Sequence, residues 1–138
     1  MGIRISTDKS ELDLELIYEY ISKQSYWGRG RTREQVQRTV DNSLCFGGYL
    51  EGKQLCFGRV VTDKTVFAYL MDIIVFEPYR GRGYGKILMQ HIMDHEAIKN
   101  ANTIALKTKD AHDFYRAYGF RSIGDSTLWM ARDTATLL

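Results

Sequence analysis

The hydrophobic positions change period along the chain. Ile3 and Ile5 read as a short first strand, and Leu14, Ile17, Tyr18 and Ile21 then recur at the three- and four-residue spacing of one helical face. Ser10 and Asp13 have capping-box spacing and predict the start of that helix, with its end near Gln24. A glycine-punctuated stretch, Ser25 to Arg31, follows. Thr32 with Gln35 forms a second capping box ahead of a helix through Val36 and Val40, so the stretch is held between two helices.

From Leu44 the runs Leu44–Leu50, Gln54–Thr62 and Thr65–Phe76 are rich in β-branched and aromatic residues. Glu51-Gly52-Lys53 and Asp63-Lys64 separate them, which predicts an antiparallel meander closed by Pro78. Tyr84, Leu88 and Ile92 then mark a helix running to about Ile98. Thr103–Thr108 alternates as a strand, and Asp110 is placed to cap a helix carrying Phe114, Tyr115 and Tyr118, with Gly119 at its C-cap. Phe120–Ile123 and Thr127–Met130 read as a closing hairpin. The order βααβββαβαββ describes one mixed α/β domain over residues 1–138, with helices covering a strongly twisted sheet.

The length of 138 residues fits a single core. A net charge of +2 is too mild to imply nucleic-acid binding. Arg29, Arg31 and Arg33 crowd one stretch and Arg80, Arg82 and Lys86 another, which suits one small ligand carrying several negative charges. Cys45 and Cys56 lie in strand-like runs without metal-ligand spacing, so they read as buried reduced thiols, and no metal is expected. The N-terminus lacks the apolar run of a signal peptide, and no stretch approaches the roughly 20 apolar residues that span a bilayer. A cytoplasmic chain with no membrane partner is the expectation.

The chemistry concentrates in Gly81-Arg82-Gly83-Tyr84-Gly85, between a strand and a helix. Such a loop turns successive backbone N–H groups into one concavity at a helix N-terminus, where hydrogen bonds and the helix dipole bind phosphate. It is not a nucleotide-triphosphate loop, because Ile87 follows Lys86 where a hydroxyl residue is required. Nor is it a dinucleotide fingerprint, because G-x-G-x-G follows a meander here and not the first strand of a parallel unit.

The segment from Asp72 to Lys86 resembles motif A of the GNAT acetyltransferase superfamily, [R/Q]-x-x-G-x-G/A after a strand, with Arg80, Gly83 and Gly85 in register. The run Ala111 to Phe120 is similar to the family's later helix-and-strand signature, and the likeness covers essentially the whole chain. Ser25-Tyr26-Trp27 and Thr108-x-Asp110-Ala111-His112 resemble a bacterial subgroup of small stand-alone members with no settled acceptor. The resemblance implies a GNAT fold with about seven mostly antiparallel strands and four helices, and acetyl-CoA as co-substrate. It implies that Arg80, Gly81, Arg82, Gly83, Tyr84, Gly85 and Lys86 hold the pyrophosphate. The edge Ile73, Ile74 and Val75 would pair with the pantetheine arm, and the Val75 N–H would face the acyl oxygen.

Tyr115 aligns with the family's general acid. Asp72, a carboxylate inside an apolar strand, is read either as general base or as a structural group bonded to the 25–32 loop. Tyr26, Trp27, Arg31, Asp110 and His112 are the candidate acceptor wall; aromatic and cationic character there suits an amine bearing a ring, a carboxylate or a phosphate. The expected activity is N-acetylation of a small-molecule primary amine by direct attack, in a monomer or homodimer. A non-catalytic acyl-CoA-binding module and a peptide or protein N-acetyltransferase are the alternatives.

Overall fold

A computed structural model, describing residues 2–133, turns these periods into five strands and four α-helices. They are β1 Arg4–Ser6, α1 Leu14–Glu19, α2 Arg33–Asp41, β2 Leu44–Leu50, β3 Lys53–Thr62, β4 Phe67–Val75, α3 Tyr84–Asp94, β5 Thr103–Leu106 and α4 His112–Arg116. The strands lie in sequence order in one sheet, antiparallel from β1 to β4, with β5 parallel to β4. Phe46, Val60, Leu70, Leu88 and Ile92 form the core under α3, and Ile17, Ile21, Val36, Phe57 and Ile74 the core under α1 and α2. Both faces of β3 are covered, which is why its sequence is nearly continuous in apolar residues and does not alternate.

Helix starts follow the side chains that satisfy free N–H groups. Thr32 and Gln35 make both bonds of the capping box at α2. At α1 the expectation is corrected: Asp13 accepts from Leu16 N–H at 3.1 Å and caps the helix, while Ser10 sits inside a 3-10 turn capped by Asp8. A π-helical turn, Tyr20–Gln24, carries α1 to its expected end. At α4 the N-cap is Ala111, whose N–H donates to Thr108 Oγ1 at 3.0 Å, so Thr108 and not Asp110 supplies the polar contact. Helix α3 stops at Asp94, and Ile98 is buried in the turn beyond it.

The closing hairpin does not form among the described residues, so the sheet has five strands where about seven were expected. Alternation supplies a face but no partner; Leu128 and Met130 remain 87% and 94% exposed. The segment touches the sheet through side chains, with the Trp129 ring 6.4 Å from Phe67 and Asp133 accepting from Lys107 Nζ at 2.7 Å. Among the described residues the outer edge of β5 has no neighbouring strand.

One irregularity positions everything that follows. Phe57 pairs with Ile74 and Arg59 with Met71, so the single residue Gly58 faces both Asp72 and Ile73, a β-bulge on β4. Asp72 takes φ +52°, a left-handed conformation that Asp tolerates better than most residues. The extra residue reverses the strand's phase. Ala68 and Leu70 pack on the α3 side before it; Ile73 and Val75 do so after it. Ile73 crosses so close to Gly58 that a Cβ there would meet its Cδ1 at 2.9 Å. Pairing of β4 with β5 ends at Leu70 and Leu106, just before the bulge, and beyond that point no strand of the described residues pairs with this side of β4.

Cys45 and Cys56 are free and buried, and burial pushes their thiols up to about 11 and about 12. Raised native values mean that the folded chain keeps protons that the unfolded chain releases from about pH 8.5. The stabilisation they carry is therefore complete below that pH and lost as pH rises through 11 and 12. Urea midpoints should fall progressively above about pH 9, and replacing both thiols with alanine should flatten this alkaline slope while lowering the midpoint at pH 7.

Candidate functional site

After β4, a 3-10 turn at Glu77–Tyr79 leads the chain into the glycine loop. Gly81 and Gly83 take φ +79° and +84°, and Gly83 is the left-handed N-cap of α3. This brings a run of donors to one helix end. The first amide in the region with an internal acceptor is Ile87, bonded to Gly83 O at 3.3 Å; the N–H groups of residues 81–86 have none among the described residues. An anion with several oxygens would satisfy them.

A groove of about 590 Å³ runs from these amides along the end of β4. Gly85 forms its floor: a Cβ there would stand 3.5 Å from Phe114 Cζ and 3.6 Å from Val75 Cγ2, filling the passage between them. Ile73, Ile74 and Val75 line the groove. The Phe76 N–H donates to Leu55 O on β3 at 3.0 Å, so by strand alternation the Val75 N–H faces the opposite side, where β5 has diverged. The chain thus presents an anion cradle, an open strand edge and a free N–H in sequence along one channel.

The cations divide. Arg80 donates through Nε to Val75 O at 2.9 Å and through an NH2 nitrogen to Tyr20 Oη at 2.6 Å, fastening the loop to β4 and to the π-helical turn after α1. Arg82 and Lys86 are exposed and enter no ion pair among the described residues.

On the far wall stand Tyr26, Trp27 and Asp110. The Trp27 ring lies edge-on to Tyr26 at 5.1 Å. Tyr26 reaches the β5–α4 connection, where its Oη accepts from Lys109 N–H at 3.3 Å and its ring carries the Lys109 ammonium at 5.4 Å.

Asp72 lies beneath this wall with its side chain fully buried. Oδ1 accepts from Trp27 Nε1 at 2.6 Å, and Oδ2 accepts from Arg59 Nε at 2.6 Å. An NH1 nitrogen of Arg31 reaches Oδ2 at 3.3 Å. Arg59, itself buried, spends a further N–H on Ser43 Oγ at 3.2 Å.

Tyr115 and His112 face a second hollow, of about 860 Å³, along the free edge of β5, while Ala111 and Phe114 face the groove. Burial raises the Tyr115 phenol to about 12, with a smaller push from Tyr26 across the groove wall. His112 and Asp110 are exposed. The groove therefore gathers most of the expected cofactor residues with Tyr26, Trp27 and Asp110, and does not take in Arg31, His112 or Tyr115. Sequence reasoning passed over Arg59, Tyr20 and Phe114. Arg59 carried the same signal as Asp72, a charge inside an apolar run, and the two are partners. No cluster of potential metal ligands occurs among the described residues, and none of their helices is long and apolar enough to cross a membrane.

Known proteins share this architecture. The sequence profile of the acetyltransferase (GNAT) domain matches residues 41–122. A crystal structure of a protein assigned to the GNAT family from Xanthomonas campestris pv. campestris superposes with a TM-score of 0.93 at 40% identity, over 97% of this chain and 94% of that one. The N-acetylglutamate synthase of Neisseria gonorrhoeae, solved with coenzyme A and N-acetyl-glutamate, shares the fold at a TM-score of 0.74 and 17% identity, over 93% of this chain and 30% of that one. An uncharacterized N-acetyltransferase, ycf52, of Gracilaria tenuistipitata var. liui is 28% identical over 78% of this chain, which spans 60% of that relative's length. With a profile covering more than half of the chain and a 40% identical relative matched along nearly all of it, the protein belongs to the GNAT acetyltransferase family.

Proposed function

We propose that the chain transfers the acetyl group of acetyl-CoA to a primary amine of a small molecule, by direct attack with both substrates bound. The observation that carries this reading is the run of unpartnered amides at residues 81–86, opening onto a strand edge that β5 has left free. Acetyl-CoA supplies the activated acyl group. The amides of residues 81–86 hold its diphosphate, and Arg82 and Lys86 add exposed positive charge. The edge Ile73–Val75 offers peptide-like hydrogen bonds to the pantetheine arm. Gly85 keeps the passage open between Phe114 and Val75.

The Val75 N–H is the donor for charge developing on the acyl oxygen. Tyr115 Oη is the proton donor to the departing thiolate: burial raises its phenol to about 12, so it keeps its proton at neutral pH, and it stands on α4 one residue from the groove-lining Phe114, with its own side chain on the hollow along β5. An alkylammonium of pKa about 10.4 must lose a proton before it attacks, and solvent water takes it. Neither buried thiol suits an acyl-enzyme, because burial keeps both protonated. Tyr26, Trp27, Arg31 and Asp110, with His112 further out, form the aromatic and charged surroundings of the acceptor.

The test is release of free thiol from acetyl-CoA with a panel of amines: L-glutamate, glucosamine 6-phosphate, tyramine and spermidine. Release above the hydrolytic background with at least one amine is expected; tight coenzyme A binding with no release from a broad panel would instead identify a binding module. Gly83→Val places a β-branched residue at φ +84°, a strain of ~1–2 kcal/mol. Calorimetry should show coenzyme A binding weakened about tenfold or more, with the far-ultraviolet circular dichroism unchanged. Tyr115→Phe should lower kcat about 100-fold and leave the coenzyme A dissociation constant within twofold; normal turnover would remove Tyr115 from the mechanism.

A further inference from the structure

Asp72 is the one carboxylate inside the sheet, and its surroundings separate two roles. A general base needs an oxygen open to the proton it takes. Both Asp72 oxygens are already engaged, by Trp27 Nε1 and Arg59 Nε at 2.6 Å each and by Arg31 at 3.3 Å, and the side chain has no exposed surface. Two of these donors, Trp27 and Arg31, come from opposite ends of the loop between α1 and α2. The bulge places the carboxylate beneath that loop, through the extra residue and the left-handed turn at Asp72. From the pinned loop, Tyr26 extends to Lys109 on the β5–α4 connection.

We infer that Asp72 is a positioning residue, which fixes the Trp27–Arg31 loop and through it the Tyr26 wall on the acceptor side, and that it takes no proton from the amine. The name of that wall rests on the acetyl-transfer reading; the anchoring of the loop does not. The cluster joins two guanidinium groups to one carboxylate. Arg59 is sealed by Asp72 and Ser43, so the uncompensated charge lies with Arg31, whose side chain is 23% exposed. Fixing the loop therefore also holds a partly free cation next to Trp27.

Three variants test this. Asp72→Asn strips Arg59 of its counter-charge and loses stability, so Trp27→Phe and Arg31→Met, which leave the Asp72–Arg59 pair intact, provide the second measure. Trypsin cleavage after Arg29 should be at least tenfold faster in all three than in the parent chain, with the coenzyme A dissociation constant within twofold. In a Trp129→Phe background, the emission of Trp27 should change on Asp72→Asn, because the indole loses its carboxylate partner. With whichever of tyramine, L-glutamate or spermidine is acetylated, KM for the amine should rise at least fivefold in Asp72→Asn, with kcat and its pH profile retained. The inference is overturned by unchanged trypsin sensitivity in Trp27→Phe. It is overturned equally by an Asp72→Asn enzyme that loses kcat 100-fold with KM and loop cleavage unaltered, as a base would. Proteolysis and fluorescence decide the anchoring even if none of the amines is acetylated, an outcome that would count against the acetyl-transfer reading alone.

Discussion

The extra residue in β4 is the constraint on which the site depends. A sheet with an unbroken β4–β5 ladder would be sealed at Ile73–Val75, with every N–H on that side spent on the neighbouring strand. The bulge, which sets Asp72 and Ile73 against Gly58 alone, falls just where pairing of β4 with β5 ends. The same residue exchanges the strand's two faces, so that Ile74 and Phe76 enter the α1–α2 core while Val75 turns toward the groove. Opening the edge and aiming the carboxylate are one event in the backbone.

The anion cradle is also a product of backbone geometry. Its donors are main-chain amides, and the side chain usually expected to reach the phosphate, Arg80, is committed to Val75 O and Tyr20. That commitment ties the glycine loop to the strand edge by a two-armed cross-link. Preorganised donors lose little entropy on binding, which is where such a site gains over one built from flexible lysines.

Much of this was legible in the sequence, for identifiable reasons. The glycine loop was readable because left-handed backbone restricts Gly81 and Gly83 whatever the surroundings. The Thr32–Gln35 box was readable because its two hydrogen bonds are local. The bulge was hidden, since Asp72-Ile73 shows no irregularity until Gly58 on another strand is set against it. The closing hairpin was over-read: Thr127–Met130 alternates correctly, yet pairing requires a neighbour that alternation cannot supply. Asp110 was read as the cap of α4, but the N-cap is Ala111 and the nearby side-chain acceptor is Thr108, because Asp and Thr both accept hydrogen bonds and only the turn decides between them. Arg59 was missed as the partner of Asp72 because they are neighbours across the sheet and not along the chain.

The buried Arg59–Asp72 pair has a consequence for how such a chain diverges. Substituting Asp72 alone leaves the buried Arg59 without a counter-charge, and substituting Arg59 alone leaves the buried Asp72 with the longer Arg31 contact at 3.3 Å as its ion pair. Trp27 loses its acceptor with Asp72, and Ser43 loses one donor with Arg59. Descendants are therefore confined either to inheriting the whole set or to replacing it together by apolar residues, and a lineage that makes the second change also gives up the fastening of its loop.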